Sequence, residues 1–241
     1  MDTPLKNIMQ NLELLVVIAI SWILIWLFEK GDLSVLGLRP TISRLKYAGI
    51  LFLVTAASCS AGFFIRMYFA KEEFALNPKT NISFILTGIW LPLKSVLFEE
   101  LLCRGVGLYI LIKKMGQRWA IIISAIVFGL LHWLNGGVFG NGLQMLIVFA
   151  YTFTFGLVLA YAYAKSFSLY LPIAMHFGWN LTQNFIFPER LLESTLFVSV
   201  VQPIVTVSYF VYFTILLFPK ISAIIIGWLI IKKHRQIEQP K

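Results

Sequence analysis

The chain has 241 residues, of which 59% are hydrophobic and 13% charged, with a mean hydropathy of +0.83. A soluble domain carries roughly a quarter Asp, Glu, Lys and Arg, so this chain lacks the charge to wet its own surface; a soluble globular domain, an intrinsically disordered chain and a coiled coil are all excluded. Twenty basic against 11 acidic residues give +9, but the excess sits in short runs between apolar blocks, where it reports membrane orientation and not a nucleic-acid partner.

A membrane-spanning helix takes about 20 apolar residues. In chain order the apolar blocks are 11–28, 47–69, 82–112, 119–134, 143–164, 167–187 and 196–231. They predict an all-α, polytopic transmembrane bundle of seven to eight helices. It forms one integral-membrane domain over 1–241, with a motif-bearing core at 82–187. The first block follows Lys6, ends in Glu29-Lys30-Gly31 and has no small-residue cleavage site, so it reads as a retained helix and not a signal peptide. The third is unusually long and contains Pro92, expected to kink it or to set off a shallow leading segment. The last is interrupted by Pro203, Pro219 and Lys220 and reads either as one span plus an interfacial helix or as two short spans. Cys59 and Cys103 lie in apolar stretches without metal or disulfide spacing.

Loop charge gives the orientation. Lys30, Arg39, Arg44 and Lys46 follow the first block, Lys113, Lys114 and Arg118 the third, and Lys165 the fifth; Lys232, Lys233 and Arg235 come near the end. These four connections are expected to be cytoplasmic, the C-terminus with them. On the other side Lys71, Glu72, Glu73 and Lys79 nearly cancel, 135–142 carries no charge, and 188–195 holds Glu189, Arg190 and Glu193.

Within the blocks the ionisable residues are few: Lys94, Glu99, Glu100, Arg104, His132 and His176, with Arg66 near a helix end. A charge at mid-bilayer costs about 2.5–3.5 kcal/mol, so these side chains are expected to face the bundle interior and to pair. Glu100 and Arg104 are one helical turn apart, a natural ion pair; Phe128 and His132 share a face, Phe128 as the packing neighbour of the ring; His176 and Asn180 share another. Glu99 points about 100° away from Glu100. At about 1.5 Å per residue, Glu99 lies roughly 20 Å along its helix from Lys113, His132 roughly 20 Å from Arg118 and His176 roughly 16 Å from Lys165. Three helices thus carry their unusual polar groups at a similar depth. A carboxylate beside an imidazole suits the deprotonation of a water, and a second imidazole with an amide suits hydrogen bonding to a developing oxyanion. The reaction class is then amide hydrolysis, with no Ser or Cys nucleophile required. The plainer readings are an ion pair that locks a helix, packed histidines and an Asn that bridges helices. Lys94 is left open between snorkelling and pairing with a carboxylate.

Glu99-Glu100-Leu101-Leu102-Cys103-Arg104, then Phe128-x-x-x-His132, then His176-x-x-x-Asn180 resemble, in order, the three motifs of the CAAX protease and bacteriocin-processing (CPBP, or ABI) family of intramembrane endopeptidases. Leu36-Gly37-Leu38-Arg39-Pro40 is similar to that family's first cytoplasmic loop. The resemblance implies that Glu99 and His132 activate the attacking water, that His176 and Asn180 stabilise the oxyanion, and that Glu100 and Arg104 support them. It implies a peptide or protein substrate at the lipid bilayer. It also implies either CAAX-type processing or the processing of bacteriocin leaders and peptide signals, the second being favoured in a chain of prokaryotic plasma-membrane type. Zinc at Glu99, His132 and His176 is the disfavoured alternative, because H-E-x-x-H is absent and an Asn is a poor fourth ligand; no cofactor is expected. A proton- or ion-coupled transporter, and a non-catalytic immunity or scaffold member of the same family, are the competing functions. Sequence sets no oligomeric state.

Overall fold

A computed structural model describes residues 4–187, 195–201 and 206–234. Among the described residues eight α-helices succeed one another: α1 (Pro4–Glu29), α2 (Ile42–Ala70), α3 (Ile82–Arg104), α4 (Val106–Met115), α5 (Gln117–Leu131), α6 (Gly142–Ser166), α7 (Tyr170–Leu181) and α8 (Tyr209–Lys233). Two short strands, β1 (Glu73–Leu76) and β2 (Phe197–Val201), pair antiparallel. The all-α expectation holds. Five helices are long and apolar enough to cross a membrane, and the apolar window of α1 is only 17% buried within the protein. Side chains such as Leu15, Trp22 and Trp26, each more than half exposed, form a surface that only hydrocarbon solvates well. The protein is an integral, multi-pass membrane protein.

Two expectations about the long blocks are corrected. Block 82–112 divides at Gly105, and Pro92 lies inside α3, so it sets off no separate leading segment. A Cβ at Gly105 would sit 2.2 Å from the Leu101 carbonyl, so the turn between α3 and α4 needs the residue that has none. Block 196–231 yields one helix, α8, running through Pro219, preceded by β2 and not by a second or interfacial helix among the described residues. Glu189, Arg190, Glu193, Pro203 and Arg235, which entered the reading of loops and blocks, lie outside the described residues.

The chain divides into two compact units, and the division falls inside α2, α3, α7 and α8. The first unit comprises 1–48, 97–173 and 231–241. Its core packs Ile25, Leu101, Leu108, Ile112 and Tyr163 around Leu36 and Leu169. One end of it joins four connections that sequence placed on a common side. Lys113 pairs with Glu29 at 2.7 Å, the Lys165 ammonium donates to the Lys232 carbonyl at 2.6 Å, and the Gln117 amide donates to the Ala164 carbonyl at 3.3 Å. The loop after α1 docks on the α6–α7 turn: Leu169 N–H donates to the Leu36 carbonyl, the Ser168 hydroxyl to that of Gly37 at 3.0 Å and the Tyr170 hydroxyl to that of Leu38 at 3.1 Å. Gly37, at φ +71°, is pressed so close that a Cβ would meet the Phe167 carbonyl at 1.9 Å.

The second unit comprises 49–96 and 174–230. Here Phe63, Phe187 and Phe197 stack, at 4.8 and 5.4 Å between centroids, and Phe74 meets Phe187 edge-on. These rings cover the β1–β2 pair, while the Asn77 amide donates to the Thr195 carbonyl at 2.9 Å. Antiparallel pairing puts the α2–α3 connection beside the segment before α8.

Candidate active site

The last turns of α3 carry Glu99, Glu100 and Arg104. Arg104 and Glu100 pair at 3.0 Å and are both 0% exposed. Two full charges out of solvent are unfavourable unless further partners satisfy them, and the structure supplies these. A second guanidinium nitrogen of Arg104 donates to the Gly156 carbonyl of α6 at 3.4 Å, and its Cζ lies 4.0 Å from the centroid of the Phe128 ring of α5, within cation–π range. A Cβ at Gly156 would approach the Phe128 ring at 3.1 Å and Arg104 at 3.2 Å; the absent side chain is what lets α6 come this close. The Ser124 hydroxyl of α5 donates to the Cys103 carbonyl of α3 at 2.8 Å and fixes the two helices in register.

Phe128 transmits that order to His132. The two rings meet edge-on at 4.4 Å, and His132 Nδ1 lies 2.8 Å from the Phe128 carbonyl oxygen. A carbonyl only accepts, so Nδ1 carries the hydrogen and Nε2 of the neutral ring carries the lone pair. His132 follows the last residue of α5 and opens a 3₁₀ turn (His132–Leu134), so it stands at the helix end. Glu99, half-buried, occupies the position before Glu100 on α3.

His176 and Asn180 lie one turn apart on α7, in the second unit. His176 is 3% exposed and Asn180 half-buried. Gly178 between them lies against α2, where a Cβ would meet the Phe52 carbonyl at 2.3 Å and the Thr55 hydroxyl at 2.4 Å. The Thr182 hydroxyl donates to the Gly178 carbonyl at 2.9 Å, and Trp179 Nε1 donates to the Gln183 side-chain oxygen. α7 is thus held against α2 at the level of its two polar residues, and it closes in a π turn over Thr182–Ile186.

Of the residues singled out by sequence, Glu100, Arg104, Phe128 and His132 form one continuous set of contacts in the first unit, with Glu99 beside it on α3. His176 and Asn180 form a second pair in the other unit. Within neither unit do three His, Cys, Asp or Glu side chains among the described residues gather as metal ligands. Sequence reasoning missed Ser124, Gly105, Gly156 and Gly178. The available signal was small residues in apolar helices, which mark close helix approach, but a small residue does not reveal which carbonyl or ring it admits.

Residues 81–182 match the family model described as type II CAAX prenyl endopeptidase Rce1-like. The match makes this stretch similar to CAAX-type proteases. It holds all three motifs, from Glu99 to Asn180. No curated protein and no solved structure matches the chain.

Proposed function

We propose that this protein is an intramembrane endopeptidase that hydrolyses a peptide bond of a membrane-associated protein or peptide with an activated water. The observation that carries this reading is the fixed tautomer of His132. Its Nδ1–H is committed to the Phe128 carbonyl at 2.8 Å, so Nε2 of the neutral ring carries the lone pair, on a helix held to α3 by the Ser124–Cys103 hydrogen bond and by Arg104 over the Phe128 ring.

In the proposed reaction Glu99 and His132 Nε2 hold the water and Glu99 takes its proton as the oxygen attacks the carbonyl carbon. The oxyanion accepts hydrogen bonds from His176 and from the Asn180 carboxamide. Collapse of the intermediate breaks the C–N bond, and the proton held by Glu99 passes to the departing amine. Glu100, Arg104 and Phe128 touch no substrate in this scheme; they position the pair. No metal and no cofactor takes part: the donors on offer include an Asn, a poor zinc ligand, and the sequence has no H-E-x-x-H. The substrate is a peptide of CAAX type or a bacteriocin leader or peptide signal, the membrane is a prokaryotic plasma membrane, and the basic connections with the C-terminus face the cytoplasm.

The test is cleavage of membrane peptides by purified protein in detergent, with Glu99→Gln and His132→Ala beside it. Each variant is expected to lose roughly 10²–10⁴ in rate, and chelators are expected to change nothing. Wild-type rates in either variant would overturn the scheme, as would activity lost to a chelator and restored by zinc.

A further inference from the structure

The two strands of the second unit form a ribbon whose hydrogen-bond phase follows from one contact. The Asn77 N–H donates to the Leu196 carbonyl at 2.9 Å, directly beyond the pairing of Leu76 with Phe197. In an antiparallel pair, hydrogen-bonded and non-hydrogen-bonded positions alternate. Ala75 and Val198 are therefore a bonded pair, while Phe74 and Leu76, opposite Ser199 and Phe197, turn their own N–H and C=O groups away from β2. Among the described residues no group takes up these outward donors and acceptors. The strand is also uncovered on that side: Glu73 and Ala75 are exposed, and Leu76 is 58% exposed. Its position is fixed from behind, where the Phe74 ring lies 6.2 Å from that of Phe63 and 5.8 Å from that of Phe187. The two acids at its start differ as well. Glu72 is buried and bound to Arg66 at 2.7 Å, whereas Glu73 is exposed and enters no ion pair among the described residues.

Resting on the endopeptidase reading, we propose that the open edge of β1 is the docking strand for the substrate: an extended peptide segment adds to it as a third, antiparallel strand, with a basic side chain opposite Glu73. An extended peptide repeats an N–H and a C=O on one side at every second residue, the spacing at which Phe74 and Leu76 present theirs; an acyl chain offers neither group. Two outward residues exchange at most four hydrogen bonds. That ladder is too short to hold two copies of the chain together, and it is enough to orient a segment that the membrane already keeps close. The edge also stands near the proposed chemistry. Phe187, against which Phe74 packs, follows Asn180 after the π turn that closes α7, and the Leu196 N–H, next to β2, donates to the Phe185 carbonyl at 2.6 Å. From Asn180 to Phe187 the chain rises roughly 10 Å at 1.5 Å per residue, a span that about three extended residues cover. The connection that holds β1 has no net positive charge, since Lys71 and Lys79 offset Glu72 and Glu73, so the segment arrives from the side opposite the basic connections. Of the substrate classes above, a leader or peptide signal fits that approach better than a CAAX terminus.

The experiment titrates a fluorescent peptide, Thr-Val-Thr-Val-Lys-Val-Thr-Val-Thr blocked at both ends, against the Glu99→Gln protein in detergent, so that turnover does not intervene. With the Lys opposite Glu73, the two Val before it stand opposite Phe74 and Leu76 and point their N–H groups at β1. N-methylation of either Val is expected to weaken binding roughly fivefold, the loss of one hydrogen bond. N-methylation of the Thr between them, whose N–H points away, should change nothing. Exchanging the Lys for Glu should weaken binding by up to about fivefold, and Glu73→Lys should reverse that preference, a gain that a misfolded variant cannot show. Leu76→Pro removes an outward N–H and no donor of the β1–β2 ladder; it should weaken the parent peptide roughly fivefold with the unfolding midpoint unchanged. No binding of the parent peptide, equal losses at all three N-methyl positions, or a Lys preference that survives Glu73→Lys would each overturn the proposal. So would a dimer in detergent that Leu76→Pro dissolves, which would give the edge to a second copy. Wild-type cleavage of a membrane peptide at a rate that neither Glu73→Lys nor Leu76→Pro changes retires the docking strand and spares the protease; the alternating pattern of binding without cleavage of any peptide does the reverse.

Discussion

The Glu100–Arg104 contact and the cleft that α2, α7 and α8 line in the second unit use the same materials to opposite ends. Both bring helices together at a glycine, Gly156 in one and Gly62 in the other, and both hold a cation inside apolar surroundings. Around Arg104 the protein closes in, with Glu100 on one side, the Gly156 carbonyl on another, the Phe128 ring 4.0 Å from Cζ and exposure of 0%, although Nε has no hydrogen-bond partner among the described residues. Lys220, whose ammonium donates to the Leu216 carbonyl at 3.3 Å, remains half-exposed on the cleft wall. A charge within a membrane helix is therefore not by itself a mark of chemistry.

The strongest test of this contrast is Glu99, which is half-buried while its neighbour Glu100 is fully enclosed. Glu99→Gln should abolish peptide cleavage, a loss of roughly 10²–10⁴, while the unfolding midpoint in detergent stays at the wild-type value; a large drop in stability would move Glu99 into the scaffold. For the enclosed pair the order reverses. Arg104→Ala leaves Glu100 buried without its cation and should cost about 3–5 kcal/mol in denaturant unfolding, whereas replacing both residues by apolar ones of similar volume should cost little or nothing. Gly156→Leu drives a side chain into Phe128 and Arg104 and should destabilise by about 1–3 kcal/mol, with activity falling because His132 is placed through Phe128. Gly37→Ala should cost about 1–2 kcal/mol for the left-handed conformation alone, and more from the collision with the Phe167 carbonyl; an unchanged midpoint would show that the loop yields.

The smallest expected effect is local and depends on pH. The Ser34 hydroxyl, and with it the Ser34 N–H at 2.7 Å, hydrogen-bond the Asp32 carboxylate and hold it below the usual Asp range. The folded value is depressed, so the stabilisation is present above the ordinary Asp pKa and is lost as pH falls through the lowered one. The Ser34 amide should lose protection from exchange on acidification through that window, and Asp32→Ala should remove the pH dependence.

Much of this was legible because hydrocarbon imposes simple rules. Runs of apolar residues located the helices, and the four-residue spacing of Glu100 with Arg104 and of Phe128 with His132 anticipated contacts found at 3.0 and 4.4 Å. The illegible parts share one cause, dependence on backbone atoms brought from elsewhere in the chain. Nothing in the sequence around Ser124 or Gly156 announces that a carbonyl of α3 or a guanidinium awaits it. Pro92 looked like the break in the third block, yet α3 absorbs it, and the stop lies at Gly105, where the chain turns too sharply for any Cβ. Glu73–Leu76 and Phe197–Val201 read as loop and apolar block, since a short apolar run does not distinguish strand from helix until its partner is known.

That strand pair also bears on how the molecule is made. Leu76 pairs with Phe197, so β1 leaves the ribosome about 120 residues ahead of its partner, on the order of ten seconds at usual rates of synthesis. Through that interval its edge is an open template on the membrane surface. Its brevity, and the glutamate at its first position, limit what else can pair with it before β2 arrives.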